Sequence, residues 1–319
     1  MPGNKVKRFN KYLLIVLLLM ICAGLPGAEG KENKFFHLTI LHSNDFHGAN
    51  IEILPYWAAL IKQVRRESNF PLLVVDAGDL FGRGPYHHKF YGELEVEAFN
   101  AMGYDIVTLG NNEFKATEGT DAQKFLLRLL SLGKFTWLCA NVKREDGSYL
   151  PGVLPYIIKE FHGVKVGIFG VTSGKVKNYR QKGKWEVLDP VETAEAICKE
   201  LKGKADIVIG LTHMGYSNDL LLAQRAKGIS VIIGGDTHLA IKDPVQEAGV
   251  VVAQAGAYGK YLGRLNLRYV FAGKGYKLDK FDGSLLPLQK NKASDPVVEN
   301  IVKQFLERLD NEKANKKAA

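Results

Sequence analysis

Cysteine is scarce in this chain. Three occur in 319 residues, and one of them, Cys22, sits inside an apolar leader. Cys139 lies in a strand-like stretch (TWLCANV) and Cys198 in a helix-like one. No two cysteines stand at metal-ligand spacing, so a thiolate zinc site is excluded. Export permits a disulfide, but two separately buried thiols are the expectation. Repeats and low-complexity linkers are missing as well. After the leader there is no long apolar run, so membrane contact is expected only through that leader. Basic clusters interleaved with aromatics are absent, which argues against a nucleic-acid surface. The net charge is nevertheless +9, or +6 once the leader's four basic residues and Glu29 are removed. This excess is lysine-rich and spread along the chain. It reads as a solvated basic surface, compatible with anionic substrates or envelope surfaces.

The leader is well formed. Lys5, Lys7, Arg8 and Lys11 precede an apolar run from Tyr12 to Ala23, and small, turn-prone residues follow (GLPGAEG). That order is a secretory signal peptide, cleaved after Gly24 or Gly30. The run is shorter than the roughly 20 apolar residues a membrane span requires; an uncleaved N-terminal anchor is the competing reading. A lipoprotein reading of Cys22 is set aside, because Ile21 before it is not small. Residues 1–30 are thus taken as leader. The product is expected to be exported, periplasmic or extracellular, and a monomer.

The rest alternates strand-like and helix-like stretches. Strands are expected at 36–42, 72–76, 105–109, 153–160, 164–171, 206–212 and 230–234. Helices are expected at 54–68, 88–102, 117–132, 190–203 and 217–227, and 249–287 looks all-β. This order predicts one α/β domain over 31–290. At the end, Asp295 is placed to cap a helix that starts with Pro296. Residues 291–319 are therefore a C-terminal helix with a lysine-rich tail expected to fray.

Polar, metal-capable residues gather at the strand ends. Asn44-Asp45-Phe46-His47-Gly48 follows the first strand, with Asp45 and His47 two apart and so facing one way in extended backbone. Asp76-Ala77-Gly78-Asp79 follows the second and Gly110-Asn111-Asn112-Glu113 the third. His213 follows the 206–212 strand, and Gly234-Gly235-Asp236-Thr237-His238 ends the 230–234 strand. One such cluster is explained by turn chemistry; five are not. Ligands of α/β sheets bind at the carboxyl ends of strands.

Eight segments in order, LTILHSNDFHG, VVDAGDLFGRGP, VTLGNNEF, LCANV, VGIFGVTS, VIGLTHMGYSND, IIGGDTH and VVAQAGAYGKYLGRLNL, carry a resemblance. The chain resembles the N-terminal metallophosphatase domain of the 5′-nucleotidase / UDP-sugar hydrolase / 2′,3′-cyclic phosphodiesterase family, within the calcineurin-like phosphoesterases. The resemblance covers about residues 36–270. It implies a four-layer sandwich of two mixed β-sheets flanked by helices. It also implies a hydrolase holding two divalent metal ions (Mn, Fe, Mg or Zn) and acting on a small phosphorylated or other anionic substrate. Asp45, His47 and His238 would hold the first ion, Asp79 would bridge, and Asn111, His213 and whatever stands at 236 would hold the second. A hydroxide between the ions would attack phosphorus. Carboxylate, imidazole and amide ligands suit such ions.

Two departures follow. The family usually reads GNHEFD where this chain has GNNEFK, so Asn112 replaces the catalytic histidine and Lys115 the aspartate that orients it. The family reads GGHTH where this chain has GGDTH. If Asp236 ligates, harder ions such as Mn²⁺, Fe²⁺ or Mg²⁺ are favoured over Zn²⁺. Asn111, Asn112 and His213 are the residues assigned to catalysis. Asp76 and Glu113 are expected behind the ligands, Lys115 at the surface, and His37, His42 and His162 in structural positions. Arg83, His87 and His88 are placed to touch an anion or to be solvated. The segment 256–263, with Tyr258 and Tyr261, is expected to line the site. Larger family members add a second domain with a nucleotide-base pocket; the chain ends at the helix that would lead into it, so nucleotide specificity is not carried over. The alternatives are a thiosulfohydrolase-like sulfur-ester hydrolase and a metal-binding pseudoenzyme.

Overall fold

Strands buried on both faces need apolar residues at every position rather than at alternate ones. In β1 (Phe35–Ser43) Leu38 and Ile40 join one core and Leu41 another. The same division runs through β2 (Leu72–Asp76), with Leu73 and Val75 on one side and Val74 on the other. The structure, a computed structural model, describes residues 34–115, 122–179, 185–290 and 292–318. The signal-peptide reading of 1–30 and the start of the helix expected from 117 fall outside these residues.

After β1 come α1 (Leu54–Glu67), β2, α2 (His87–Phe90), α3 (Glu93–Met102), β3 (Ile106–Thr108), α4 (Ala122–Leu132), β4 (Thr136–Leu138), β5 (Val142–Arg144), β6 (Val153–Leu154), β7 (Tyr156–Phe161) and β8 (Val164–Thr172). Then follow β9 (Trp185–Val187), α5 (Pro190–Leu201), β10 (Ile207–His213), α6 (Tyr216–Arg225), β11 (Val231–Gly234), β12 (Val245–Glu247), β13 (Val250–Ala253), β14 (Tyr261–Phe271), β15 (Tyr276–Pro287) and α7 (Pro296–Ala318). Among the described residues, one sheet has the order β15-β14-β1-β2-β3-β4-β6 and a second the order β12-β13-β11-β10-β8-β7. Both are mixed: β1, β2, β3, β4 and β6 run parallel, and β14 pairs antiparallel with both β1 and β15. In the second sheet β8, β10, β11 and β13 are parallel, with β7 and β12 antiparallel at its edges.

Three cores make four layers. Leu38, Ile40, Val75, Ile106, Ile168, Ile209 and Ile233 fill the space between the sheets. Trp57, Phe99, Leu129 and Phe305 pack helices on the outer face of the first sheet. Ile197, Leu201 and Leu222 do so on the second. The expected α/β sandwich of two mixed sheets flanked by helices is what the structure has. Helix α7 is capped by Asp295, whose carboxylate accepts from the N–H groups of Val297 and Val298 at 3.1 Å. Cys139 and Cys198 are buried and unpaired.

Some boundaries differ from expectation. The helix expected over 88–102 breaks at Tyr91 and Gly92, both at positive φ (51° and 96°). The strand expected over 153–160 divides at Pro155. Its first part joins the first sheet and its second part the other.

The sheets touch closely where the parallel strands end. Ala140 N–H donates to the Gly170 carbonyl at 2.8 Å, joining the segment after β4 to β8. A Cβ on Gly170 would stand 2.0 Å from Thr108 Oγ1 and 2.6 Å from Leu138 Cβ. Only glycine permits this approach. Gly170→Ala is expected to lower unfolding stability by about 1–3 kcal/mol, the usual cost of overpacking. The check is the urea midpoint at unchanged slope; an unchanged midpoint would contradict the close packing.

Candidate metal centre

The site stands at the carboxyl ends of β1, β2, β3, β10 and β11, so both sheets contribute to it. Asp45 and His47 do not converge through extended backbone, as their spacing suggested. Both are left-handed, with φ of 54° and 57°, and so are Asp79, Asp236 and His238 at 58°, 71° and 57°. Such residues cost of order 1–3 kcal/mol each and persist only when their surroundings hold them. Here the surroundings are backbone. The N–H of Asp45 donates to the Gly78 carbonyl at 2.8 Å, that of His47 to Asp79 at 2.9 Å, and that of Gly48 to Leu80 at 3.0 Å. The loops after β1 and β2 are thereby fastened together. Asn44 ties the same loop to 255–256, donating to the Gly256 carbonyl and accepting from Ala255 N–H.

Close approach completes the convergence. A Cβ on Gly110 would lie 2.3 Å from both the backbone nitrogen and Oδ1 of Asp79, and one on Gly235 would lie 2.7 Å from His213 Nδ1. Glu113, buried behind the loops, accepts from the N–H groups of Asp79 and Gly110 at 3.0 and 2.6 Å. Asp76 accepts from Ser43 Oγ and Gly78 N–H. Both sit behind the ligands, as expected.

The polar atoms then face one another. Around Asp45 Oδ1 stand Nε2 of His238 at 3.2 Å, His47 at 3.7 Å and His213 at 3.9 Å. Asp79 Oδ2 lies 3.2 Å from His213 Nε2 and 3.8 Å from His47 Nε2. Asp236 Oδ1 lies 3.9 Å from His213 Nε2, and the Asn111 side-chain amide reaches to 3.2 Å of the same oxygen. Two ligand groups result, Asp45–His47–His238 and Asp45–Asp79–His213, with Asn111 and Asp236 beside the second. All eight residues assigned from sequence are brought together.

The electrostatics fit a cation. Burial drives the His47 imidazole down to about 4, although Asp79 and Asp45 pull it up; it is neutral and ready to ligate near pH 7. Burial opposes charge on Asp79 too, but His213, His47 and hydrogen bonds to the carboxylate outweigh it and hold the group below its usual range. Burial also opposes charge on His213, yet the carboxylates of Asp79, Asp45 and Asp236 raise it well above the usual imidazole value. A proton on His213 thus does the work of a positive charge among carboxylates. Asp45 Oδ1 is buried and accepts no hydrogen bond. Buried acceptors without partners are rare, and a divalent ion is the partner this oxygen lacks. As a hydrogen-bonding group Asn111 would turn its NH₂ to Asp236; as a ligand it would turn its oxygen there. The donor set fits divalent metal ions, Asp45, His47 and His238 for one and Asp79, His213, Asn111 and Asp236 for a second.

Asn112 is buried, its backbone N–H donating to Asp79 Oδ1 at 2.7 Å and its Nδ2 to Asp79 Oδ2. Lys115 and Arg83 are exposed; the side chains of His87 and His88 lie outside those described. His42 is buried, its imidazole lowered to about 4 by burial. His37 stacks on Phe70 at 4.3 Å, and His162 lies in the turn after β7 at φ 51°. None of the three joins the site. Tyr258 does: its ring centroid is 5.6 Å from that of His47 and 5.3 Å from that of His238. Tyr261 is instead the first residue of β14.

The sequence reading missed three residues. Gln254 grips the Asp236–His238 loop, accepting from Thr237 Oγ1 and Leu239 N–H and donating to the Gly235 carbonyl. Asp219, buried behind it, accepts from Thr212 Oγ1 at 2.6 Å. Lys175, in the turn Gly174–Tyr179 after β8, donates to Asp236 Oδ1 at 2.6 Å. Only the lysine is distinguishable in principle, as the cation nearest the end of the VGIFGVTS strand segment.

Comparison with known proteins bears on family and fold. The trifunctional nucleotide phosphoesterase protein YfkN of Bacillus subtilis (strain 168) is 32% identical over 321 residues, covering 89% of this chain and 22% of that protein. The 5′-nucleotidase precursor of Thermus thermophilus superposes with a TM-score of 0.73 at 26% identity, covering 86% of this chain and 59% of that one. The sulfate thiohydrolase SoxB of Thermus thermophilus superposes with a TM-score of 0.74 over 86% of this chain and 61% of its own, but at 18% identity, which is a likeness of fold. The chain spans between about a fifth and three fifths of the first curated relatives' lengths. The calcineurin-like phosphoesterase family matches over residues 38–240, and these are the residues that carry β1 through the Asp236–His238 loop: the chain belongs to that family.

Proposed function

We propose that this protein is an exported, binuclear-metal hydrolase of small phosphoesters, of 5′-nucleotidase-like chemistry. The observation that carries the reading is Asp45 Oδ1, a buried carboxylate oxygen with three imidazole nitrogens within 3.9 Å and no hydrogen bond. Asp45, His47 and His238 would hold one ion; Asn111, His213 and Asp236 would hold the other, with Asp79 between them. When bound, such ions supply Lewis-acid charge to phosphoryl oxygens and lower the pKa of water. The protein's own part is positioning. The fastened loops after β1 and β2 fix Asp45, His47 and Asp79. Glu113 fixes the backbone of Asp79, and Gln254 fixes the loop carrying Asp236 and His238. The leader, Lys5 to Gly30, supports export. Among the described residues no helix is long and apolar enough to cross a membrane.

Asn112 limits the chemistry. A neutral amide holds no transferable proton, and its Nδ2 is engaged with Asp79. Protonation of the leaving group is therefore not supplied from this position. The reading commits to substrates whose leaving group departs as an anion. The same observation favours one rival, a metal-binding protein that does not turn over.

Two outcomes are expected. In Mn²⁺, Asp79→Asn should bind less metal and lose at least about 10²-fold in hydrolysis of an aryl phosphate; metal content by mass spectrometry and initial rates check this. Wild type that binds no divalent ion would sink the assignment, and metal-bound wild type without turnover would support the rival. Asn112→His should accelerate substrates with poor leaving groups by roughly 10²-fold, the scale of general acid catalysis, and hardly change p-nitrophenyl phosphate. A uniform effect across leaving groups would contradict the role given to position 112.

A further inference from the structure

Among the described residues, Lys175 is the one charged side chain bonded to a candidate metal ligand that neither the motifs nor the family reading assigns. Its placement follows from the fold. In the register of the second sheet Thr172, the last residue of β8, lies opposite His213, the last of β10. The chain leaves β8 through Ser173, whose Oγ accepts from Lys175 N–H at 3.2 Å. Val176 is fully buried on the other side. Lys175 is thus held at both flanks while its own side chain remains 56% exposed and reaches Asp236 Oδ1 at 2.6 Å.

That oxygen has several claimants. Asp236 Oδ1 faces Lys175 Nζ, the Asn111 amide and His213 Nε2. A cation at the second position would take the same oxygen, together with Asn111 and His213. One carboxylate oxygen serves an ammonium and a divalent ion poorly, because the two positive charges repel at close range. By contrast, the one carboxylate of the first group, Asp45, has no lysine or arginine within ion-pair distance among the described residues; Arg83 acts there only on His47, whose imidazole it helps to lower.

We infer that Lys175 sets the inequality of the two metal positions: its ammonium competes with the second divalent ion for Asp236 Oδ1 and weakens that position relative to the first. The inference rests on the metal-centre reading. A unit charge about 4 Å from a divalent ion changes affinity by roughly thirtyfold in water-like dielectric, and salt screening brings this to about tenfold. Lys175 is over half exposed, so the lower figure applies.

The test is a Mn²⁺ titration by calorimetry, with electron paramagnetic resonance to detect coupled ions, on the full chain. Wild type should bind one ion tightly and a second more weakly. Lys175→Met should tighten the weaker position about tenfold and leave the first unchanged. Lys175→Arg, which keeps the charge, should behave as wild type. In an Asp236→Asn background the weak position should be insensitive to residue 175. The inference is overturned if Lys175→Met leaves both affinities unchanged, or if its effect persists in Asp236→Asn. If no variant binds Mn²⁺ at all, the metal-centre reading falls and this inference with it; bound Mn²⁺ with an insensitive residue 175 removes only the inference.

Discussion

Asp45 and Asp79 are both buried, and their carboxylates share one set of imidazoles. Burying two carboxylates together is costly unless positive charge accompanies them. Much of the surrounding architecture can be read as a consequence. Hydrogen bonds from Asn112 and the pull of His213 and His47 keep Asp79 ionised. Farther out, three other carboxyl groups are pushed the opposite way: burial raises Asp76 to about 7, and Glu113 and Asp219 to about 8. The cluster thus concentrates negative charge on the residues that would face a metal and restrains it in those that only hold backbone. This separation of roles by environment is the pattern expected of a functional site.

The same constraint explains the backbone. To aim seven candidate ligand side chains at a small volume from two sheets, the chain turns sharply after most of these strands. Five non-glycine residues accept left-handed conformations there. Glycine appears where backbone passes within contact distance of a ligand, at 110 and 235. The strain is met by hydrogen bonds between loops rather than by packing, since the loops after β1 and β2 bond to each other over four residues. The closeness of the sheets at Gly170 brings His213 and the Asp236–His238 loop within reach of Asp45 and Asp79. A sheet separation set by larger side chains would leave two half-sites.

The sandwich and the cluster of candidate ligands were legible because two-sided burial and strand-end motifs are local signals. Runs such as LLVVD and VIGLTH state their burial outright, and Asp or His beside Gly states a turn. What escaped was the conformation by which ligands converge. Spacing of two suggested extended backbone at Asp45 and His47, whereas tertiary hydrogen bonds impose left-handed turns. Tyr91 and Gly92 interrupt a helix whose apolar spacing is continuous, because positive φ is not visible in periodicity. Pro155 divides an unbroken apolar stretch between two sheets, a choice made by pairing partners far along the chain. Gln254 and Lys175 escaped for a different reason. Neither stands in a motif of metal-ligand type, and their roles exist only through contacts 15 to 61 residues distant.

The two metal positions differ in how they are built. Asp45 and His47 of the first lie on the loop fastened to the next strand's loop, and His238 is the one member that arrives from the second sheet. The second draws Asn111 from the loop after β3, in the first sheet, and His213 and Asp236 from β10 and β11 in the other, so two of its members depend on sheet-to-sheet placement. It also carries the lysine contact at Asp236, while the amide of Asn112 occupies the polar surface of Asp79. An ion held by the first group would meet the His47 imidazole already neutral; an ion entering the second would meet the Lys175 ammonium already bonded to Asp236 Oδ1. An inequality between two bound ions would thus follow from the chain's own charges and would not require different metals in the two positions.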